Sequence, residues 1–174
     1  MSWRAGIQGY AARWDVTTAA LGRPQAPHLS RPAIFQKGCF LYDPDRVAIW
    51  FMHREAQPVG VGSRISLDMW EDDVGLAFTF KPPEAAFSVV AGIADGRYSH
   101  CSVGISIHAS TMHGGVESIS SAVVREVSIC PRGACPGAIC WHIGNGDAAL
   151  PSEARALLPG WNRGRASRHG RLYA

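Results

Sequence analysis

The chain has 174 residues, 47% of them hydrophobic and 18% charged, with a formal net charge of +3. That length and balance describe one ordinary globular domain, exclude a disordered chain, and leave no room for two sizeable cores. The positive excess collects near the end, where Arg155, Arg163, Arg165, Arg168 and Arg171 face only Glu153, so the domain itself is close to neutral and requires no nucleic-acid partner.

In chain order, short apolar or alternating runs bounded by Gly, Pro and Asp predict strands over about Gly6–Trp14, Val47–Met52, Val59–Leu67, Val74–Phe80, Cys101–His108 and Ala122–Ile129. The segment from about Leu21 to Arg31 is rich in Pro and polar residues and reads as a loop. Val47–Met52 is apolar on both faces, the pattern of a strand buried on two sides, and it delivers His53 at its end. Between Pro82-Pro83 and Gly96, residues Ala86, Val89, Val90 and Ile93 recur at helical spacing, with prolines before and glycine after. In the strand that follows, Val103, Ile105 and Ile107 share one face and Ser102, Gly104 and Ser106 the other. His108 and His113 flank Gly114-Gly115 across an expected hairpin and read, like His28 and His169, as exposed loop histidines. After Trp141 the pattern dissolves, with only Ser152–Leu158 offering a short helical stretch capped by Ser152. The expected organisation is a domain over residues 1–142 and a basic tail over 143–174.

No apolar run approaches the roughly 20 residues that span a bilayer, and Met1-Ser2-Trp3-Arg4 lacks the apolar core of a signal peptide. Both point to the cytoplasm and to no membrane partner. The five cysteines, odd in number and irregular in spacing, read as free thiols used mostly as small buried hydrophobes. Cys130, Cys135, Cys140 and His142 are suitable zinc ligands by type, but they lack the tight Cys-x-x-Cys spacing of most structural sites.

A serine nucleophile needs an adjacent base, and the base needs a third group to hold its tautomer. With 14 acids and seven histidines in the chain, spacing alone does not pair them. Five short motifs in one order narrow the choice. They are Gly9-Tyr10-Ala11-Ala12 with Trp14; Gly38-Cys39-Phe40; His53 followed by Pro58-Val59-Gly60; Ser102-Val103-Gly104 just after a helix; and Glu126-Val127-Ser128-Ile129 before Pro131 and Pro136-Gly137-Ala138. In that order they resemble the prohead protease family of tailed phages, the herpesvirus assemblin-like serine peptidases, from about Gly6 to Ala138.

The resemblance implies a mainly β (α+β) fold, an antiparallel β-barrel flanked by helices. It implies a serine endopeptidase with Ser102 as nucleophile, His53 as general base and Glu126 as third member, with no cofactor and no metal. The substrates it implies are the major capsid protein or the scaffold, and the enzyme itself, inside the procapsid assembling in the bacterial cytoplasm; self-association stays open. Glu126 has a plainer reading as a solvent-facing strand glutamate, and its same-face neighbours by alternation are Val124 and Ser128. His100-Cys101 before Ser102, and Cys130-Pro131-Arg132-Gly133-Ala134-Cys135, depart from the family's pattern. They leave room for an alternative, a catalytically inactive β-barrel module for capsid assembly or scaffold binding.

Overall fold

The computed structural model describes residues 6–21 and 30–143. The expected loop beyond Leu21, the Ser152–Leu158 stretch, the basic tail, His28 and His169 lie outside the described residues. In order, the elements are β1 (Gly6–Arg13), β2 (Ala33–Phe35), β3 (Phe40–Leu41), β4 (Ala48–Phe51), β5 (Arg54–Val61), the single turn α1 (Gly62–Ile65), β6 (Asp68–Glu71), β7 (Gly75–Phe80), a 3-10 turn (Glu84–Ala86) leading into α2 (Phe87–Ala94), β8 (His100–His113), β9 (Val116–Cys130) and β10 (Cys140–Ile143). The mainly β expectation holds, with one helix of eight residues where the proline-to-glycine pattern placed it.

The strands form two open sheets. One is antiparallel, in the order β10-β1-β7-β6; the other runs β2-β9-β4-β5, with β3 and β8 also paired to β9. The second sheet corrects the all-antiparallel expectation. β2, β3 and β4 each lie parallel to β9, and only β8 and the β4–β5 hairpin are antiparallel in it. Parallel pairing needs long connections, and here the segments from β4 to β9 supply one. Among the described residues no pairing joins the edges of either sheet into a closed barrel.

One hydrophobic cluster joins the sheets: Ile7, Ala11, Phe78 and Phe80 from the first meet Ile49, Ile119, Val127 and Ile129 from the second, with Phe35 and Phe40 among them. β1 is buried along nearly its whole length because it has a strand on each side. Gly9 is required there, since a Cβ would sit 2.1 Å from the Ile139 carbonyl oxygen. Tyr10 donates its hydroxyl to Asp72 Oδ2 at 2.6 Å, and burial pushes its ionisation far up. Phe40 packs its ring against Trp14 and Phe35. The Gly-Tyr-Ala and Gly-Cys-Phe motifs therefore build the core.

The strand expected over Val59–Leu67 is broken. β5 ends at Val61 and the chain turns through α1, where Gly62 passes so close to Pro44 that a Cβ would lie 1.6 Å from its carbonyl oxygen. β5 also begins earlier than expected, at Arg54, since a two-residue turn folds it straight back on β4. The β8–β9 hairpin turns at Gly114 and Gly115, both at positive φ, as a two-residue hairpin loop demands. All five cysteines are free and buried.

Candidate active site

β9 carries the site, with β4 on one side and β8 on the other. Its pairing sets Ser128 opposite Ser102 and Glu126 opposite Gly104 on β8, while across β4 the same residues meet Trp50 and Ala48. Directly paired residues share a sheet face, so Ser102, Gly104, Glu126 and Ser128 lie together. The register skips Arg125, pairing Val124 with Ile105, the neighbour of Gly104. Successive β8 residues point to opposite faces, so Val124 and Glu126 do too. This bulge corrects the simple alternation that made them same-face neighbours.

His53 arrives from the other side. Phe51 pairs with Arg54, leaving Met52 and His53 as the whole turn, at φ of 55° and 57°. A type I′ turn wants positive φ at both positions and usually takes Asn-Gly; Met-His accepts a cost there. The turn leans over β9: Met52 N donates to the Ile129 carbonyl at 3.0 Å and His53 N donates to Ser128 Oγ at 3.0 Å.

The imidazole then meets the carboxylate, with His53 Nδ1 2.6 Å from Glu126 Oε1. Ser128 Oγ donates to the other oxygen, Oε2, at 2.6 Å. Glu126 is 4% exposed in its side chain and His53 47%, which disposes of the solvent-facing reading of this glutamate. The hydrogen bond to Glu126 raises the His53 pKa above its ordinary value, burial opposing and the charge of Glu126 adding. Gly104 makes the room: a Cβ there would lie 2.4 Å from Glu126 Oε1.

Ser102 is half-buried near the start of β8. The approach to it is fixed by packing. Gly92 in α2 lets Tyr98 lie under the helix, where a Cβ would be 2.2 Å from the ring, and Tyr98 meets Phe51 edge to face at 4.8 Å. Cys101 N donates to the Ala138 carbonyl at 2.9 Å, and Gly133 presses against the Cys101 carbonyl. The structure thus joins His53 to Glu126 directly and sets Ser102 beside their strand. Among the described residues no hydrogen bond links Ser102 to His53. Ser128 touches both His53 and Glu126, a role that its residue type does not announce; its i+2 spacing from Glu126 is the signal that the sequence offers.

The other clusters do less. Among the described residues no group of three or more His, Cys, Asp or Glu side chains is arranged to hold a metal ion. Cys135 lies against Arg13, whose amide donates to its sulfur at 3.4 Å, while Cys130 and Cys140 sit near the His100 carbonyl. His108 and His113 are exposed on the outer part of β8.

No curated protein matches the chain. Among solved structures it is similar to the KSHV protease crystallised in complex with a hexapeptide phosphonate inhibitor, at 15% identity and a TM-score of 0.42, over 87% of this chain and 73% of that one. Over residues 3–143 it matches the family described as Caudovirus prohead serine protease. With most of its length in that match, the chain belongs to the caudovirus prohead serine proteases, the peptidases of phage capsid maturation.

Proposed function

We propose that the chain is an active serine endopeptidase that cuts the major capsid protein or its scaffold, and itself, inside the procapsid assembling in the host cytoplasm. Ser102 is the nucleophile, His53 its general base and Glu126 the group that orients the base. The carrying observation is the 2.6 Å contact between His53 Nδ1 and the buried Glu126 carboxylate, on the strand that pairs with Ser102.

The chemistry follows from the tautomer. A carboxylate accepts, so the His53 proton sits on Nδ1 and the lone pair on Nε2. Nε2 takes the Ser102 hydroxyl proton as Oγ attacks the scissile carbonyl, and the imidazolium so formed is stabilised by Glu126. That proton then passes to the leaving amine. Water, deprotonated by the same nitrogen, releases the acyl group and restores Ser102. A metal or cofactor has no part in these steps. The missing Ser102–His53 bond is compatible with this scheme, since such bonds often close only when substrate binds.

That same missing bond favours the second reading, an assembly module that binds capsid protein without cutting it. Coexpression with the neighbouring major capsid protein, as wild type and as Ser102→Ala, followed by intact mass, separates the two. Shortening of either protein that disappears in the variant supports the peptidase; equal masses in both refute it.

A further inference from the structure

Ser128 has no part in the steps above, yet its hydroxyl is the atom through which the site is tied together. The residue is wholly buried. Its Oγ accepts the His53 backbone N–H at 3.0 Å and donates to Glu126 Oε2 at 2.6 Å. The remaining carboxylate oxygen, Oε1, receives His53 Nδ1. A hydroxyl has one proton to give, and the ionised carboxylate can only accept, so the directions of all three bonds are fixed. They form a closed ring that leaves His53 through its backbone and returns to it through its imidazole.

Each bond in that ring opposes a specific freedom. The His53 backbone is held at φ 57°, a region that a non-glycine residue occupies only when its surroundings over-determine it. The amide bond to Ser128 is one of those surroundings. The Glu126 carboxylate, buried and otherwise free to turn about its last torsion, is pinned by donors on both oxygens. Ser128 is also the residue directly opposite Ser102, so base, orienting acid and nucleophile are all referred to one position on β9.

We infer that Ser128 is a positioning residue of the peptidase, holding the His53 turn and the Glu126 carboxylate in one fixed relation so that the imidazole presents Nε2 toward Ser102. This rests on the assignment of Ser102, His53 and Glu126 given above. A buried serine serving only to fill space would leave the His53 ring indifferent to the loss of its oxygen.

The test uses the full chain with Ser128→Ala and Ser128→Thr. The first readout is the low-field His53 Nδ1–H proton and the ring nitrogen shifts by NMR, which need no turnover. The second is kcat and KM on a peptide spanning the cleavage site mapped by intact mass. Ser128→Ala is expected to lose the Nδ1–H signal to exchange and to lower kcat about 10- to 100-fold, with KM within about twofold. Ser128→Thr, which keeps the hydroxyl, is expected to retain the signal and most of the turnover. An unchanged His53 signal in Ser128→Ala, with Ser102-dependent cleavage undiminished, overturns the positioning role and leaves the peptidase standing. A wild-type chain that never cuts, but whose His53 signal still answers to Ser128→Ala, does the reverse.

Discussion

Gly104→Ala tests the site without changing Ser102, His53 or Glu126 themselves. The Gly104 backbone lies outside the left-handed region, so alanine suits the local chain, and the nearest obstacle is Glu126. The added Cβ would stand 2.4 Å from Oε1, 2.7 Å from Cγ and 2.8 Å from Cδ. Ordinary contact needs about 3.4 Å or more, so the carboxylate must withdraw by about 1 Å. Its bond to His53 is 2.6 Å, and a shift of that size in any direction spoils that geometry, by stretching the bond or by driving the two groups into overlap. The overpacking itself should cost about 1–3 kcal/mol of stability, read from urea denaturation. Turnover should fall about 100-fold, the penalty for a misplacement of this size in a catalytic group. The acid limb of the pH–rate profile should also drop toward the ordinary histidine range, since the bond that raises the His53 pKa is gone. A folded Gly104→Ala protein with wild-type turnover and an unmoved acid limb would refute the reasoning.

Glu126→Gln should act on the same limb more directly. The base works as neutral imidazole, so activity rises as pH climbs through the His53 pKa, which Glu126 holds above the ordinary value of about 6.5. The variant should lower that limb and reduce the plateau kcat by about 100-fold or more; a limb that stays in place is the contrary result. The stability sign runs the other way. The raised pKa contributes stability that is fully present below about pH 6.5 and lost as pH rises through the folded value, and Glu126→Gln should remove that dependence from denaturation curves. Met52→Asn addresses the turn: Met52 is 40% exposed at φ 55°, where asparagine is far better suited. A gain of about 0.5–1 kcal/mol in urea denaturation is expected, with cleavage intact; a loss of stability would contradict the account of the turn.

The parts of this architecture that were legible in the sequence are those with long regular runs. Gly6–Trp14, the His53 strand and the Ser102 strand could be read because their alternation or full apolarity spans several residues, and α2 because proline and glycine mark its ends. β2, β3, β6 and β10 have two to four residues each, too few for a period to show. The first half of β5 is polar and is followed at once by Pro58, and the Met52-His53 turn folds this segment onto β4. At the site, the residue types could be named in advance, but their pairing could not. Glu126 meets His53 through parallel register between β4 and β9 across 73 residues, and a bulge at Arg125 fixes which face it takes. Neither register nor bulge leaves a mark on local composition. The family resemblance supplied those partners, and the structure supplied Ser128 and Gly104.

The parallel alignment of β4 on β9 also sets a timetable. His53 has its backbone and side-chain partners on β9, and β9 is the penultimate strand of the described fold. A growing chain therefore emerges with His53 first, Ser102 some fifty residues later, and Glu126 last of the three. Contacts of such long sequence separation form late, after the entropy of closing the intervening loop has been met. The contact between His53 and Glu126, and any chemistry that depends on it, is therefore complete only once β9 has docked beside β4.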